Sequence, residues 1–140
     1  MMPLRFFIYF SGVLLLMIFS WSAVAAPFTP NDPLYAQQWH LSNTSGYPDV
    51  NVTGAWQRGL TGQGVVLGVV DDALEHAHED LIGNYLASES WDFKDGDADP
   101  SPSASYDDNH GTAVAGVAAA RGGNSLGVTG AAPHASLAGL

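Results

Sequence analysis

His110 follows Asp107-Asp108-Asn109 and opens the run Gly111-Thr112-Ala113-Val114-Ala115-Gly116. Well upstream, Asp71 and Asp72 close the apolar run Val65-Val66-Leu67-Gly68-Val69-Val70. An imidazole can take the proton of a hydroxyl nucleophile, and a carboxylate beside it can fix its tautomer and stabilise its charged form. Asp71 and His110 suit those two roles if the end of a strand and the start of a helix meet. Spacing alone also admits a simpler reading, a helix-capping histidine and a turn aspartate. Asp107 and Asp108 likewise read as a solvated acidic turn, since negative charge before a helix favours its dipole.

The elements that must position these residues follow from patterning. Residues 65–70 form a continuous β-branched run, which fits a strand buried on both faces of a parallel sheet. In such sheets catalytic groups collect beyond the carboxyl ends of the strands, where Asp71 and Asp72 stand. Residues 111–120 predict a helix of small residues able to approach a sheet closely, ended by Arg121-Gly122-Gly123-Asn124. Gly127 to Pro133 is a tight connection, and residues 135–140 begin a second buried strand. The order strand, loop, helix, strand predicts a right-handed parallel crossover. Upstream, residues 27–33 are an irregular lead, and residues 34–41 carry Tyr35, Trp39 and Leu41 as a segment able to cover an apolar surface. Residues 49–59 predict a short helix with Asn51 as its cap, Val52, Ala55 and Trp56 on one face, and Gly59 after its last turn. Residues 73–105 are loop-rich and acidic, and a loop of that length is usually functional.

The first 26 residues belong to no fold. A start with one positive charge, Arg5, an apolar run from Phe6 to Trp21 and the small residues Ser22 to Ala26 predict a signal peptide over 1–25, with Ala23 and Ala25 giving the cleavage pattern. The run also approaches the roughly 20 residues needed to span a bilayer, so an anchor is the competing reading. Either way the remainder, residues 26–140, is exported, and the expected location is secreted or periplasmic. Loss of Arg5 leaves three basic residues against 14 acidic ones. That balance argues against nucleic acid and anionic membrane surfaces, which need cationic patches, and it favours cations or basic peptides. There is no cysteine, so stability must come from packing or metal. Asn43-Thr44-Ser45 and Asn51-Val52-Thr53 match the glycosylation triplet, a weak signal. His76 and His78 read as surface histidines in preference to a metal motif.

Val69-Val70-Asp71-Asp72 together with residues 110–116 resembles the aspartate and histidine blocks of the subtilisin-like serine proteases (peptidase S8 family), and the doubled aspartate resembles the kexin/furin branch. Trp39-His40-Leu41, residues 52–64, Glu79-Asp80-Leu81 and residues 127–133 are similar to that branch as well, so the resemblance runs from Asn31 to Leu140. It implies an α/β fold, a subtilisin-like parallel sheet flanked by helices and incomplete in this chain, with residues 26–140 as the N-terminal part of a catalytic domain. By the same resemblance Asp71 is the triad aspartate and His110 the general base. Asp72 and Asp107, joined by Asp108, are substrate-cleft carboxylates, which would favour Lys or Arg on a peptide substrate by charge-assisted pairing. The resemblance also implies calcium, held by side-chain oxygens of Asp32, Asp80 and Asn124 and by backbone carbonyls of Arg121, Leu126 and Val128. Asp92, Asp97 and Asp99 match a second calcium loop, with a solvated acidic loop as the alternative.

Three departures qualify this expectation. Ala73 stands where relatives carry glycine, and a Cβ there is costly if φ is positive or if backbone must approach closely. The chain leaves no room for the usual propeptide, so a folding helper acting in trans, or unaided folding, is expected. The nucleophilic serine, the oxyanion-hole asparagine and the main basic-residue pocket are expected beyond Leu140, with the chain alone inactive and unstable. The expected activity is serine endopeptidase, cleaving after basic residues. The alternatives are a broad-specificity subtilisin-like protease and a truncated, non-catalytic calcium-binding or interaction module.

Overall fold

Strand β1 (Val66–Val69) and strand β2 (Ser136–Gly139) pair in parallel, with Val66 opposite Ser136 and Val69 opposite Gly139. The computed structural model describes residues 25–103 and 107–140. The expected signal peptide therefore lies, apart from Ala25, outside the described residues. In chain order the elements are a 3-10 turn at Tyr35–Gln37, helix α1 (Thr53–Trp56), β1, a second 3-10 turn at Ala87–Glu89, helix α2 (His110–Ala119) and β2. The predicted strand, loop, helix, strand order and the parallel pairing are both present. Among the described residues no helix is long and apolar enough to cross a membrane.

β2 is the inner strand of the pair. On its far edge the Leu86 N–H donates to the Leu137 carbonyl, the Leu137 N–H donates to the Asn84 carbonyl, and the Trp91 N–H donates to the Gly139 carbonyl. The acidic loop thus covers an edge that would otherwise present unpaired backbone. α2 lies against both strands. It does so through Gly111, Ala115 and Ala119, four residues apart and buried, while Val114 and Val117 stay exposed. Small side chains at that spacing let the helix sit close on the sheet. The core gathers Val69, Leu74, Leu81, Ala115, Ala119, Ala120, Ala135 and Leu137.

Two sequence expectations need correction. β1 is not buried on both faces, since Val66 is 51% exposed and Val70, just past it, 79%. Among the described helices only α2 touches β1, so the other face of the run is uncovered. The helix predicted over 49–59 shortens to Thr53–Trp56, and Asn51 does not cap it. Asn51 takes a left-handed φ of 54°, and its N–H donates to Asp49 Oδ1, so the approach to the helix is an Asx-type turn built by Asp49. Trp56 is buried as expected, and Gly59 takes φ +74° after the last turn.

The N-terminal lead is fastened across the end of α2. Gln38 donates from Nε2 to the Thr129 carbonyl and accepts the Thr129 N–H on Oε1, both at 2.8 Å. Trp56 donates from Nε1 to the Ala131 carbonyl and meets Phe28 edge to face, centroids 5.5 Å apart.

Candidate active site

The carboxyl end of β1 and the amino end of α2 meet. His110 is the first residue of α2, and its Nδ1 lies 2.8 Å from Asp71 Oδ1 and 3.0 Å from Oδ2. A proton on Nδ1 shared with the carboxylate leaves Nε2 as the basic nitrogen, and among the described residues Nε2 has no hydrogen-bond partner. The Asp71 side chain is 20% exposed and the His110 side chain 73%. The hydrogen bond that His110 donates to Asp71, followed by the charge of Asp71 and then that of Asp72, raises the His110 pKa above its ordinary 6.5.

Asp72 has a role that local sequence patterning does not reveal. The residue before α2, Asn109, makes no side-chain cap. Asp72 supplies the cap from the end of β1, accepting the Gly111 N–H on Oδ1 at 2.8 Å and the His110 N–H on Oδ2 at 3.2 Å. Helix N-termini leave such N–H groups unpaired, and an anion there also meets the positive end of the helix dipole. Donation from the Gly111 N–H, ahead of smaller contributions from His110 and Ala73, lowers the Asp72 pKa. The doubled aspartate therefore grips α2 twice, Asp71 on the ring of its first residue and Asp72 on its first backbone donors.

Glycine is required at 111 because a Cβ there would stand 2.2 Å from the Ala73 carbonyl oxygen and 2.8 Å from Asp71 Cβ. Ala73 itself is unstrained, since the only non-glycine residues with positive φ among those described are Asn51 and Ser125. Positive φ is therefore not required of alanine at that position.

A cavity of about 530 Å³ opens beside the pair, lined by Asp71, Asp72, Asp92, Phe93, Lys94 and Asp108 among others. Two of the three expected cleft carboxylates, Asp72 and Asp108, line it. Asp107 does not, and instead accepts a hydrogen bond from Asn109 Nδ2. Lys94, which the sequence reading passed over, stands with its Nζ 3.8 Å from Asp108 Oδ2. Its signal was available, for it is the one lysine of the chain.

The residues expected to hold calcium converge on the loop after α2. Asp80 Oδ1 accepts from Asn124 Nδ2 at 2.9 Å and its Oδ2 accepts the Val128 N–H at 2.7 Å. Asp32 accepts the Gly123 and Asn124 N–H groups and the Thr129 hydroxyl. The Arg121 N–H donates to the Asp80 carbonyl, and the Leu126 N–H to Asn124 Oδ1. Asp32 and Asp80 are only 5% and 2% exposed, and among the described residues neither is paired with a basic side chain. These carboxylate and amide oxygens suit a hard cation in donor type, and in this structure they accept N–H and hydroxyl groups. Among the described residues no group of three or more His, Asp and Glu side chains is gathered as a metal site.

The second expected loop is drawn together by its backbone, Asp92 bridging Asp97. Its carboxylates are engaged locally: Asp92 Oδ1 accepts the Lys94 and Asp95 N–H groups, Asp97 Oδ1 accepts the Asp99 N–H, and Asp99 Oδ1 accepts the Ser101 N–H and lies 3.1 Å from His76 Nε2. His76 also stacks on Tyr85, centroids 4.5 Å apart. His78 Nδ1 accepts the Asp80 N–H. Both histidines thus have structural contacts.

Comparison with known proteins gives three concordant findings. Residues 62–140 match the subtilase family, Peptidase S8. The chain is 46% identical over 112 residues to kexin of Saccharomyces cerevisiae and 44% identical over 113 residues to human proprotein convertase subtilisin/kexin type 7, covering 79% of this chain and 14% of each relative. The structure of the Aeromonas sobria serine protease in complex with the chaperone ORF2 superposes with a TM-score of 0.71 at 37% identity, over 86% of this chain and 21% of the protease.

Proposed function

This chain belongs to the subtilase family, with the subtilisin-like α/β fold, and from that premise we propose that it supplies the base and the orienting carboxylate of a serine endopeptidase with a kexin-like preference for basic residues. The observation that carries the reading is the contact of His110 Nδ1 with both Asp71 oxygens, which leaves Nε2 available. A serine hydroxyl delivered to Nε2 gives up its proton as its oxygen attacks the scissile carbonyl. Asp71 stabilises the imidazolium so formed, and the imidazolium then protonates the leaving amine. Asp72 keeps the His110 ring in register by holding the backbone of the helix that carries it.

The preference for Lys or Arg is supported by the carboxylates Asp72 and Asp108 in the adjoining cavity and by the identity to kexin. Asp107 keeps a place in the proposal through its neighbour Asp108. Calcium is proposed between the lead and the loop after α2, held by Asp32, Asp80 and Asn124 with carbonyls of Arg121, Leu126 and Val128. A second ion is proposed at Asp92, Asp97 and Asp99. Each would act as a structural cation. The protein is proposed to be exported through residues 1–25, and a folding helper in trans is suggested by the chaperone of the Aeromonas complex.

The chain spans 14% of the length of the curated relatives, so the test belongs to a protein that carries it together with a nucleophile. Peptides with Lys or Arg before the scissile bond should be cleaved faster than those with Leu or Phe. Equal rates would overturn the basic preference. Replacement His110→Ala should lower kcat by about 10⁶-fold, and an active variant would remove His110 from the mechanism.

A further inference from the structure

The cavity beside Asp71 is lined by four carboxylates, those of Asp71, Asp72, Asp92 and Asp108, and by one basic side chain, Lys94. Asp71 is engaged by His110, and Asp72 by the backbone of α2. Asp92 Oδ1 accepts two N–H groups of its own turn. Asp108 is the carboxylate whose side-chain partner is a lysine, reaching in from another segment. Lys94 Nζ stands 3.8 Å from its Oδ2, with the Lys94 side chain 58% exposed and that of Asp108 18%. In a chain with four basic residues against 14 acidic ones, one cation is thus held inside the candidate cleft.

We propose that Lys94 is a specificity-determining residue, an internal cation that screens Asp108 and must be displaced before a basic substrate side chain can pair there. The inference rests on the reading of this cleft as a peptide-binding site. A lysine carries a compact charge on a flexible stem, so it can leave by rotating into solvent. A substrate cation therefore competes with an intramolecular one for the same carboxylate, whereas a neutral side chain at that subsite does not. The consequence is a weakened selectivity for Lys or Arg at the subsite that Asp108 lines.

The test uses the full-length enzyme and pairs of peptides with a fixed Arg before the scissile bond and either Arg or Gln at one neighbouring position, taken in turn, the position at which Asp108→Asn lowers the ratio marking the subsite. The readout is the ratio of kcat/KM values for the two peptides, which does not depend on the fraction of folded enzyme. Lys94→Met should raise the Arg/Gln ratio about fivefold, the size expected for removing one partly exposed charge, and should steepen its loss with added salt. Lys94→Arg should keep the ratio near that of the wild type. Asp108→Asn should lower it and should abolish the gain when combined with Lys94→Met. A ratio unchanged in Lys94→Met, or one that rises equally in the double variant, overturns the proposal. The basic preference itself is read separately, from Arg against Leu directly before the scissile bond in the wild type. Its failure would leave the Lys94 ratio interpretable.

Discussion

His110 shares its Nδ1 proton with both oxygens of Asp71, and that contact sets the pH at which Nε2 becomes a base. The neutral ring is the working form, so kcat/KM is expected to rise with pH along a limb whose midpoint lies above the ordinary 6.5. Replacement Asp71→Asn removes the two largest causes of the shift. The midpoint should fall, and kcat should drop about 10⁴-fold because an amide permits the wrong tautomer. Asp72→Asn removes only the smaller charge contribution and should move the midpoint less. A pH profile identical in the wild type and Asp71→Asn would show that Asp71 does not govern the base. The same sign applies to stability. Folded His110 holds its proton more tightly than the unfolded chain, so the pair contributes stability below 6.5 and loses it as pH rises through the raised value.

At the scale of elements, the junction of β1 with α2 depends on contact too close for any side chain at 111. A Cβ there meets a carbonyl oxygen and the Asp71 side chain, neither of which can yield without moving the strand end. Gly111→Ala should therefore destabilise the fold by about 1–3 kcal/mol or more, measured by denaturant unfolding, and should lower kcat further by displacing His110 from Asp71. A variant as stable as the wild type would show that the junction is loose. This junction was partly legible in the sequence. The β-branched run and the small-residue run mark a strand and a helix, and their order predicts the parallel pairing. The capping of α2 was not legible, because Asn109 offers a suitable local cap while the residue that serves lies 38 residues upstream. Asn51 misled for a related reason, since Asp49 turns the chain before a cap can form.

At the scale of the whole molecule there is no cysteine, and the lead and the loop before α2 each bury an acid, Asp32 and Asp80. Asp32 and Asp80 both bond to the loop after α2, and no periodicity or spacing brings positions 32, 80 and 124 together; only the family resemblance did. If a calcium ion resides there, chelation should lower the melting temperature, and saturation at 100 times Kd should restore about 2.7 kcal/mol. Asp80→Asn should abolish the calcium dependence. A melting temperature indifferent to chelator would leave the two carboxylates as purely hydrogen-bonded groups. The face of β1 left uncovered was likewise invisible in the sequence, because an apolar run reports what a strand is suited to bury and not what covers it.

The fastening of the lead has a bearing on the order of folding. Its side-chain bonds to the loop after α2, from Asn31, Asp32 and Gln38, join residues 91 to 97 positions apart. Closing so long a loop costs entropy before any of these bonds is made, and contacts of that separation slow the search for the native state. The lead is therefore expected to dock late, after the loop it is bonded to has taken shape.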